Sequence, residues 1–370
     1  MRINWFDPRM TGTEASAVFD VLNSGYINDG PVTAQFEAAI ADIAHRHHGV
    51  AVPSGTVALA MALMAAGALP DESVIGPDFT FLATANAVRL AGCRPIFADI
   101  SRETFNLTAE SVDMVRRYRA RRAGGDQSGR NRLAAVRFIM PVEVNGRALD
   151  HDFYEYCNYN HLTVITDSCE ALGSGWCGSH GLMSCFSFSP NKLVTTGQGG
   201  MIVTDDFEIY TRLRQLKYQG FIQRSTGADE DPPTLGYNFK FTDLQAAIGL
   251  EQLKVFDKRR EACQLRDEWY RSELAHVVEF PPLDGVHLWT DILTDEATPL
   301  AFFLRKHGYE TRKFWLPLHR TTPHNRLFGE FPIADRVSAD GLWLPSSYDI
   351  TQSQVREVSD AIKTYMGSSK

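Results

Sequence analysis

The chain has 370 residues, long enough for a large core and more than one domain. Apolar residues make up 44% and charged residues 22%, the balance of an ordinary soluble globular protein. A net charge of −8 gives no electrostatic support for nucleic acid or an anionic membrane as partner.

The opening Met-Arg-Ile-Asn-Trp-Phe-Asp-Pro carries no secretory pattern. The longest uncharged apolar run, residues 57–69, is too short to span a bilayer. Six cysteines form no Cys-x-x-Cys pair and read as reduced thiols of a cytoplasmic protein. Cys169, Cys177 and Cys185 match no common zinc spacing, so no metal site is expected.

Residues 12–24 and 33–46 carry helical apolar spacing, separated by the turn Asn28-Asp29-Gly30-Pro31. From residue 50 to about 204 short apolar runs alternate with helical ones. Strands are expected at 50–52, 73–76, 95–98, 134–140, 162–166, 185–188 and 201–204, with helices near 56–68, 80–91, 109–121 and 150–159. Such alternation implies an α/β fold, a mainly parallel sheet covered by helices, with ligands at the carboxyl ends of its strands. The arginine-rich stretch 116–132 reads as a solvated insertion. A long helical pattern covers 242–273, followed by strands at 286–293 and 309–314 and helices at 295–307 and 352–365. We therefore expect a large domain over 1–250 and a smaller α/β domain over 251–370.

Lys192 lies between two apolar strand candidates, after the turn Ser189-Pro190-Asn191 and before Thr195, Thr196 and the glycines 197, 199 and 200. A lysine in apolar surroundings loses its proton readily and becomes a nucleophile able to form a Schiff base. The alternative is a solvated loop lysine. Ser54-Gly55-Thr56 follows a strand and opens a helix, where free N–H groups and the dipole can hold a phosphate. A plain N-cap is the other reading. Asp167 ends a buried strand and needs a partner, or else caps residues 168–172. Phe81 either stacks on a ligand ring or joins the core. No P-loop or G-x-G-x-x-G fingerprint is present. A lysine for an aldehyde, a phosphate cradle, a carboxylate for a ring nitrogen and an aromatic face together suit pyridoxal phosphate.

With these residues in place the chain resembles the DegT/StrS-type sugar aminotransferases, over nearly its whole length. Ser54-Gly55-Thr56 with Ala58-Leu59 matches the family's S-G-T-x-A-L, and Thr80-Phe81 the position of the stacking aromatic. Asp167 matches the pyridinium partner, and Ser187 with Lys192 the S-x-x-x-x-K of phosphate-binding serine and Schiff-base lysine. Gly197-Gln198-Gly199-Gly200 stands for the family's G-E-G-G, with glutamine for glutamate. Gly236-Tyr237-Asn238-Phe239-Lys240 resembles G-Y-N-x-R/K, whose asparagine and basic residue reach the cofactor phosphate of the neighbouring subunit.

The resemblance implies fold type I, pyridoxal 5′-phosphate with pyridoxamine phosphate as its intermediate form, and a homodimer with interfacial active sites. It implies transfer of an amino group, with L-glutamate as donor, to a nucleotide-linked 4-keto-6-deoxyhexose. Glu170, within Asp-Ser-Cys-Glu-Ala-Leu-Gly-Ser, looks most like 4-aminotransferases of the GDP-perosamine synthase type and is placed beside the cofactor's phenolic oxygen. His319, in Pro317-Leu318-His319, is a candidate for the substrate side of the pocket. A 3-aminotransferase, a sugar dehydratase or a non-catalytic sugar-nucleotide binder are the alternatives. Lys192 argues against the dehydratase branch that carries histidine there.

Overall fold

A computed structural model describes residues 2–122, 136–222, 231–325 and 329–368. The β-rich runs become β1 (His48–Val52), β2 (Ser73–Pro77), β3 (Arg94–Ala98), β4 (Phe138–Ile139), β5 (Thr163–Asp167), β6 (Met183–Ser187) and β7 (Gly200–Thr204). They form one sheet in the order β1-β7-β6-β5-β4-β2-β3. Every pairing from β6 across to β3 is parallel, while β7 runs antiparallel to both β6 and β1. Parallel neighbours need crossover connections. These are α3 (Gly55–Ala65), α4 (Leu82–Leu90), α5 (Ala109–Arg122) and α6 (His151–Tyr159), so the expected α/β sheet flanked by helices is present.

Helix α3 is apolar all round, and seven of its residues, from Ala58 to Ala65, are core. Only a helix enclosed on every side has that composition. It packs on β6 and β7 below and on α4 beside it. Gly200, at the start of β7, makes this approach possible, because a Cβ there would lie 2.4 Å from the Ser54 carbonyl oxygen.

A smaller antiparallel sheet, β8 (Asp291–Leu293), β10 (Gly341–Trp343) and β9 (Arg312–Lys313), lies among α10 (Ala297–Lys306), α11 (Pro332–Asp340) and α12 (Gln352–Ser368). Neither α11 nor β10 was expected from periodicity. Nor was α7 (Phe207–Lys217), whose N-cap Asp206 accepts the Glu208 and Ile209 N–H groups. Among the described residues no helix is long and apolar enough to cross a membrane.

Three expectations need correction. The pattern over 242–273 is two helices, α8 (Asp243–Leu253) and α9 (Phe256–Leu274). No glycine or proline marks the break. The halves serve different layers, α8 packing on α1 (Glu14–Ser24) and α2 (Pro31–Ile43), and α9 on α12. The expected strand 286–293 pairs only from Asp291 onward. Before that, side chains take the place of a ladder. Arg266 donates to the His287 and Leu288 carbonyls, Asn145 accepts the Trp289 N–H, and Ser346 accepts the Thr290 N–H. Of the stretch 116–132, the first residues are the last turns of α5, and 123–132 lie outside the described residues.

Helix α2 begins earlier than its periodicity suggests because Pro31 suits its first position and Asp243 accepts the Gly30, Val32 and Thr33 N–H groups. The same corner buries Lys217, paired with Asp29 at 2.7 Å and Glu37 at 2.8 Å. Burial alone would lower the lysine's pKa, but the two carboxylates hold it above its ordinary value. Removing the amine leaves two buried acids without their cation. Lys217→Met is expected to cost about 3–5 kcal/mol of unfolding free energy, measured by urea denaturation. A change within 0.5 kcal/mol, the scatter of surface substitutions, would contradict the pairing.

Candidate active site

Strands β1, β2, β4, β5 and β6 point the same way, so the residues after each gather at one edge of the sheet. There they line a cavity of about 410 Å³. Gly55 and Thr56 come from the β1 side, Phe81 from the loop after β2, and Asp167 and Glu170 from the end of β5. Ser187 and Lys192 come from β6 and its loop. Seven of the ten residues singled out from the sequence thus face one space.

The first turn of α3 forms one wall. Ser54 is its N-cap, with Oγ accepting the Val57 N–H at 3.3 Å, and the Ala58 N–H goes to the Ser54 carbonyl. Gly55 and Thr56 line the cavity, and as first-turn residues their N–H groups have no intrahelical partner. A Cβ at Gly55 would come within 2.9 Å of Cys169 Sγ and 3.0 Å of Ser187 Cβ, so glycine lets the helix start sit against β6.

Asp167 is 4% exposed. Its Oδ1 accepts the Cys169 N–H at 3.1 Å and its Oδ2 accepts the Thr84 hydroxyl at 2.7 Å. A second acid, Glu143, follows β4 and is pushed up to about 8 by burial, although Ser168 and the Gly178 N–H favour its charged form. Burial thus works against a second negative charge beside Asp167.

Lys192 follows a turn closed by its own N–H on the Ser189 carbonyl. The Thr195 hydroxyl and Thr196 N–H both bond the Phe188 carbonyl and fold the rest of the loop back. Its amine lies 3.4 Å from Glu170 Oε1 and 5.4 Å from the centre of the Trp289 ring. Burial pushes the Glu170 carboxyl upward, opposed by Lys192 and by the Asn145 N–H that bonds Oε2 at 3.2 Å. Asn145 in turn bonds the Trp289 carbonyl and both Asp291 oxygens, and Asp291 is ion-paired with buried Arg147. The turn holding Asn145 has two left-handed residues, Asn145 at φ 51° and Gly146 at φ 83°.

Three residues do not line this cavity within one chain. Asn238 and Lys240 are joined to each other, with the Lys240 amine donating to Asn238 Oδ1 at 3.0 Å on the surface. His319 is held by Asp78, with Nδ1 2.6 Å from Oδ2 and its backbone N–H 2.9 Å from Oδ1. Burial pushes Asp78 up to about 6 against the pull of His319. The sequence reading missed Thr84, Asn145, Trp289, Arg312 and Trp315. The last three line the cavity from the smaller sheet and its approaches. A left-handed Asn-Gly pair after a strand was the one local signal, and it pointed to Asn145.

The residues fit pyridoxal 5′-phosphate. The cavity combines a helix start, a hydroxyl, an enclosed amine and a buried carboxylate with apolar side chains, among them Phe81, left 49% exposed. An exposed aromatic ring in such a wall is what a planar heteroaromatic needs as a face.

Relatives agree. A GDP-perosamine synthase from Caulobacter vibrioides is 32% identical, covering 98% of this chain and 97% of its own. DesV from S. venezuelae, solved with a ketimine intermediate, is 25% identical with a TM-score of 0.88, covering 99% of this chain and 98% of its own. NtdA from Bacillus subtilis, solved with PMP bound, is 26% identical with a TM-score of 0.85, covering 97% and 83%. The model of the DegT/DnrJ/EryC1/StrS aminotransferase family matches residues 8–363, and the chain belongs to that family of fold type I, pyridoxal-phosphate-dependent sugar aminotransferases.

Proposed function

We propose that this enzyme transfers an amino group from L-glutamate to a nucleotide-linked 4-keto-6-deoxyhexose, and that it works as a cytoplasmic homodimer. The observation that carries the reading is that Lys192 and Asp167 line one cavity together with Gly55 and Thr56 at the start of α3. The choice of a 4-ketosugar is supported by the relatives named GDP-perosamine synthase and by Glu170 in its Asp-Ser-Cys-Glu context.

Pyridoxal phosphate, when bound, supplies an electron sink for the carbon that loses or gains the amino group. Lys192 holds its aldehyde end and, as a free amine, moves the proton at that carbon. Positioned proton transfer of this kind is worth about 10²–10⁴-fold. Asp167 would hold the proton of the ring nitrogen, and Phe81 would offer its face to the ring. Ser187, Gly55 and Thr56 bind the phosphate through a hydroxyl and the helix N–H groups. Glu170, 3.4 Å from the amine, orients Lys192 and would serve the cofactor's phenolic oxygen.

Asn238 and Lys240 act on the phosphate of a second copy, which accounts for their surface position in one chain. His319 does not line the cavity of one chain, and a role for it on the substrate side is supported only by its nearness in sequence to cavity-lining Trp315. The cofactor-binding part spans 1–250 and the smaller part 251–370.

Borohydride reduction followed by peptide mass mapping should place the cofactor on Lys192. In Lys192→Ala the label should vanish and turnover should fall by at least the ~10²–10⁴-fold of a lost proton-transfer group. Ordinary turnover in that variant ends the assignment.

Asp167→Asn is expected to lose about 3–5 kcal/mol of transition-state stabilisation, read from kcat/KM in the glutamate half-reaction. Rates near wild type would mean that another group holds the ring nitrogen.

The substrate class is tested separately. The pyridoxamine form, made with glutamate, is challenged with GDP-, UDP- and dTDP-linked 4-ketosugars. The pyridoxal absorbance should return with at least one of them. If none restores it while 2-oxoglutarate does, the sugar assignment fails and the transaminase chemistry stands.

A further inference from the structure

Asp167 has more than one neighbour with a proton to give, and their order is set by elementary chemistry. Thr84, in the first turn of α4, places its hydroxyl 2.7 Å from Asp167 Oδ2. Thr80, one helical turn earlier, lies 3.0 Å from the Thr84 hydroxyl and lines the cavity. Thr80, Thr84 and Asp167 are 2%, 3% and 4% exposed, so bulk water is not their partner.

An ionised carboxylate only accepts, and a hydroxyl has a single proton. The Thr84 proton must therefore go to Asp167, and the Thr84 oxygen accepts from Thr80. The relay runs in one direction, Thr80 to Thr84 to Asp167. On the other carboxylate oxygen the Cys169 N–H is fixed by the backbone. Thr84 is thus the one hydroxyl donor on Asp167 among the described residues, beside the Cys169 thiol, which also bonds the carboxylate.

We propose that Thr84, oriented by Thr80, is a positioning residue that sets the direction and charge of the Asp167 carboxylate toward the cofactor's ring nitrogen. The inference rests on the reading of Asp167 as the partner of that nitrogen. Hydrogen bonds to a charged group favour the charged form. With the Thr84 donor in place, the negative charge stays on Asp167 and the proton stays on the ring. Without it, one buried oxygen loses its partner, and the ring proton is drawn toward the carboxylate. The ring then becomes a poorer electron sink, although no residue touching the reacting carbon has changed.

The test uses holoenzyme reconstituted with pyridoxal phosphate labelled with ¹⁵N in the ring. The ¹⁵N shift reports ring protonation directly and does not depend on turnover. Wild type should show a protonated nitrogen, and Asp167→Asn should move the signal strongly toward the unprotonated value. Thr84→Val, which keeps the shape and removes the hydroxyl, should move it the same way by a smaller amount. The glutamate half-reaction should slow by about 10- to 100-fold in that variant, the range of one hydrogen bond to a charged group. Thr84→Ser should restore both readouts to near wild type.

Should Thr84→Val fail to fold, Thr84→Ser and Thr80→Val decide the matter. Thr80→Val leaves the last bond intact and should give a weaker shift of the same sign. A wild-type ¹⁵N signal in Thr84→Val or, where that variant does not fold, in Thr80→Val overturns the relay, as does a serine variant as impaired as the valine one. If Asp167→Asn leaves the nitrogen unmoved, the reading of Asp167 itself has failed, which is a different result.

Discussion

A carboxyl group held at 4% exposure is the constraint on which the site depends. Such a carboxylate is tolerated only where donors meet it, because its desolvation is not otherwise offset. The chain meets that requirement with pieces that are far apart in sequence. The Cys169 N–H comes from the turn after β5, and the Thr84 hydroxyl comes from the crossover helix between β2 and β3. Both reach Asp167 because parallel strands bring their carboxyl ends to one edge. Burial of Glu143 nearby acts in the same sense, since it disfavours a second anion next to Asp167.

The two carboxylates of the cavity are thereby given different tasks. Asp167 faces donors that are neutral and fixed in place. Glu170 faces the Lys192 amine and a single backbone N–H, and burial works against its charge. Environments that separate two acids in this way are how one cavity divides roles between them. Asp167 is held by neutral donors alone, whereas Glu170 shares its contact with the Lys192 amine.

Much of this edge was legible in the sequence, for reasons that are local. A strand ending in Asp167, a serine–glycine–threonine opening α3, and a lysine after Ser189-Pro190-Asn191 each have a short-range signature. Alternating strands and helices then require those endings to meet. What was not legible depends on contacts across long stretches of chain. Thr84 looks like any helix threonine until Asp167 is beside it, 83 positions away. Residues 286–290 have strand composition, yet Arg266, Asn145 and Ser346 satisfy their backbone instead. The break after Leu253 has no breaker residue because packing on two different layers imposes it.

Those same long-range contacts tie the smaller sheet to the reactive amine. Trp289 lies under Lys192, and its backbone N–H and carbonyl are both bonded by Asn145. Asn145 also donates its N–H to Glu170 and its amide to Asp291 at the start of β8. Movement of β8 relative to the large sheet would therefore be felt first at Asn145, then at Glu170 and the Trp289 ring, and through them at the amine. A left-handed turn fits this junction. Gly146 lies against the Val286 carbonyl, where a Cβ would come within 2.2 Å, so the two backbones can touch only because a side chain is missing. The closeness that glycine permits, more than any single side chain, fixes the distance between the smaller sheet and the lysine.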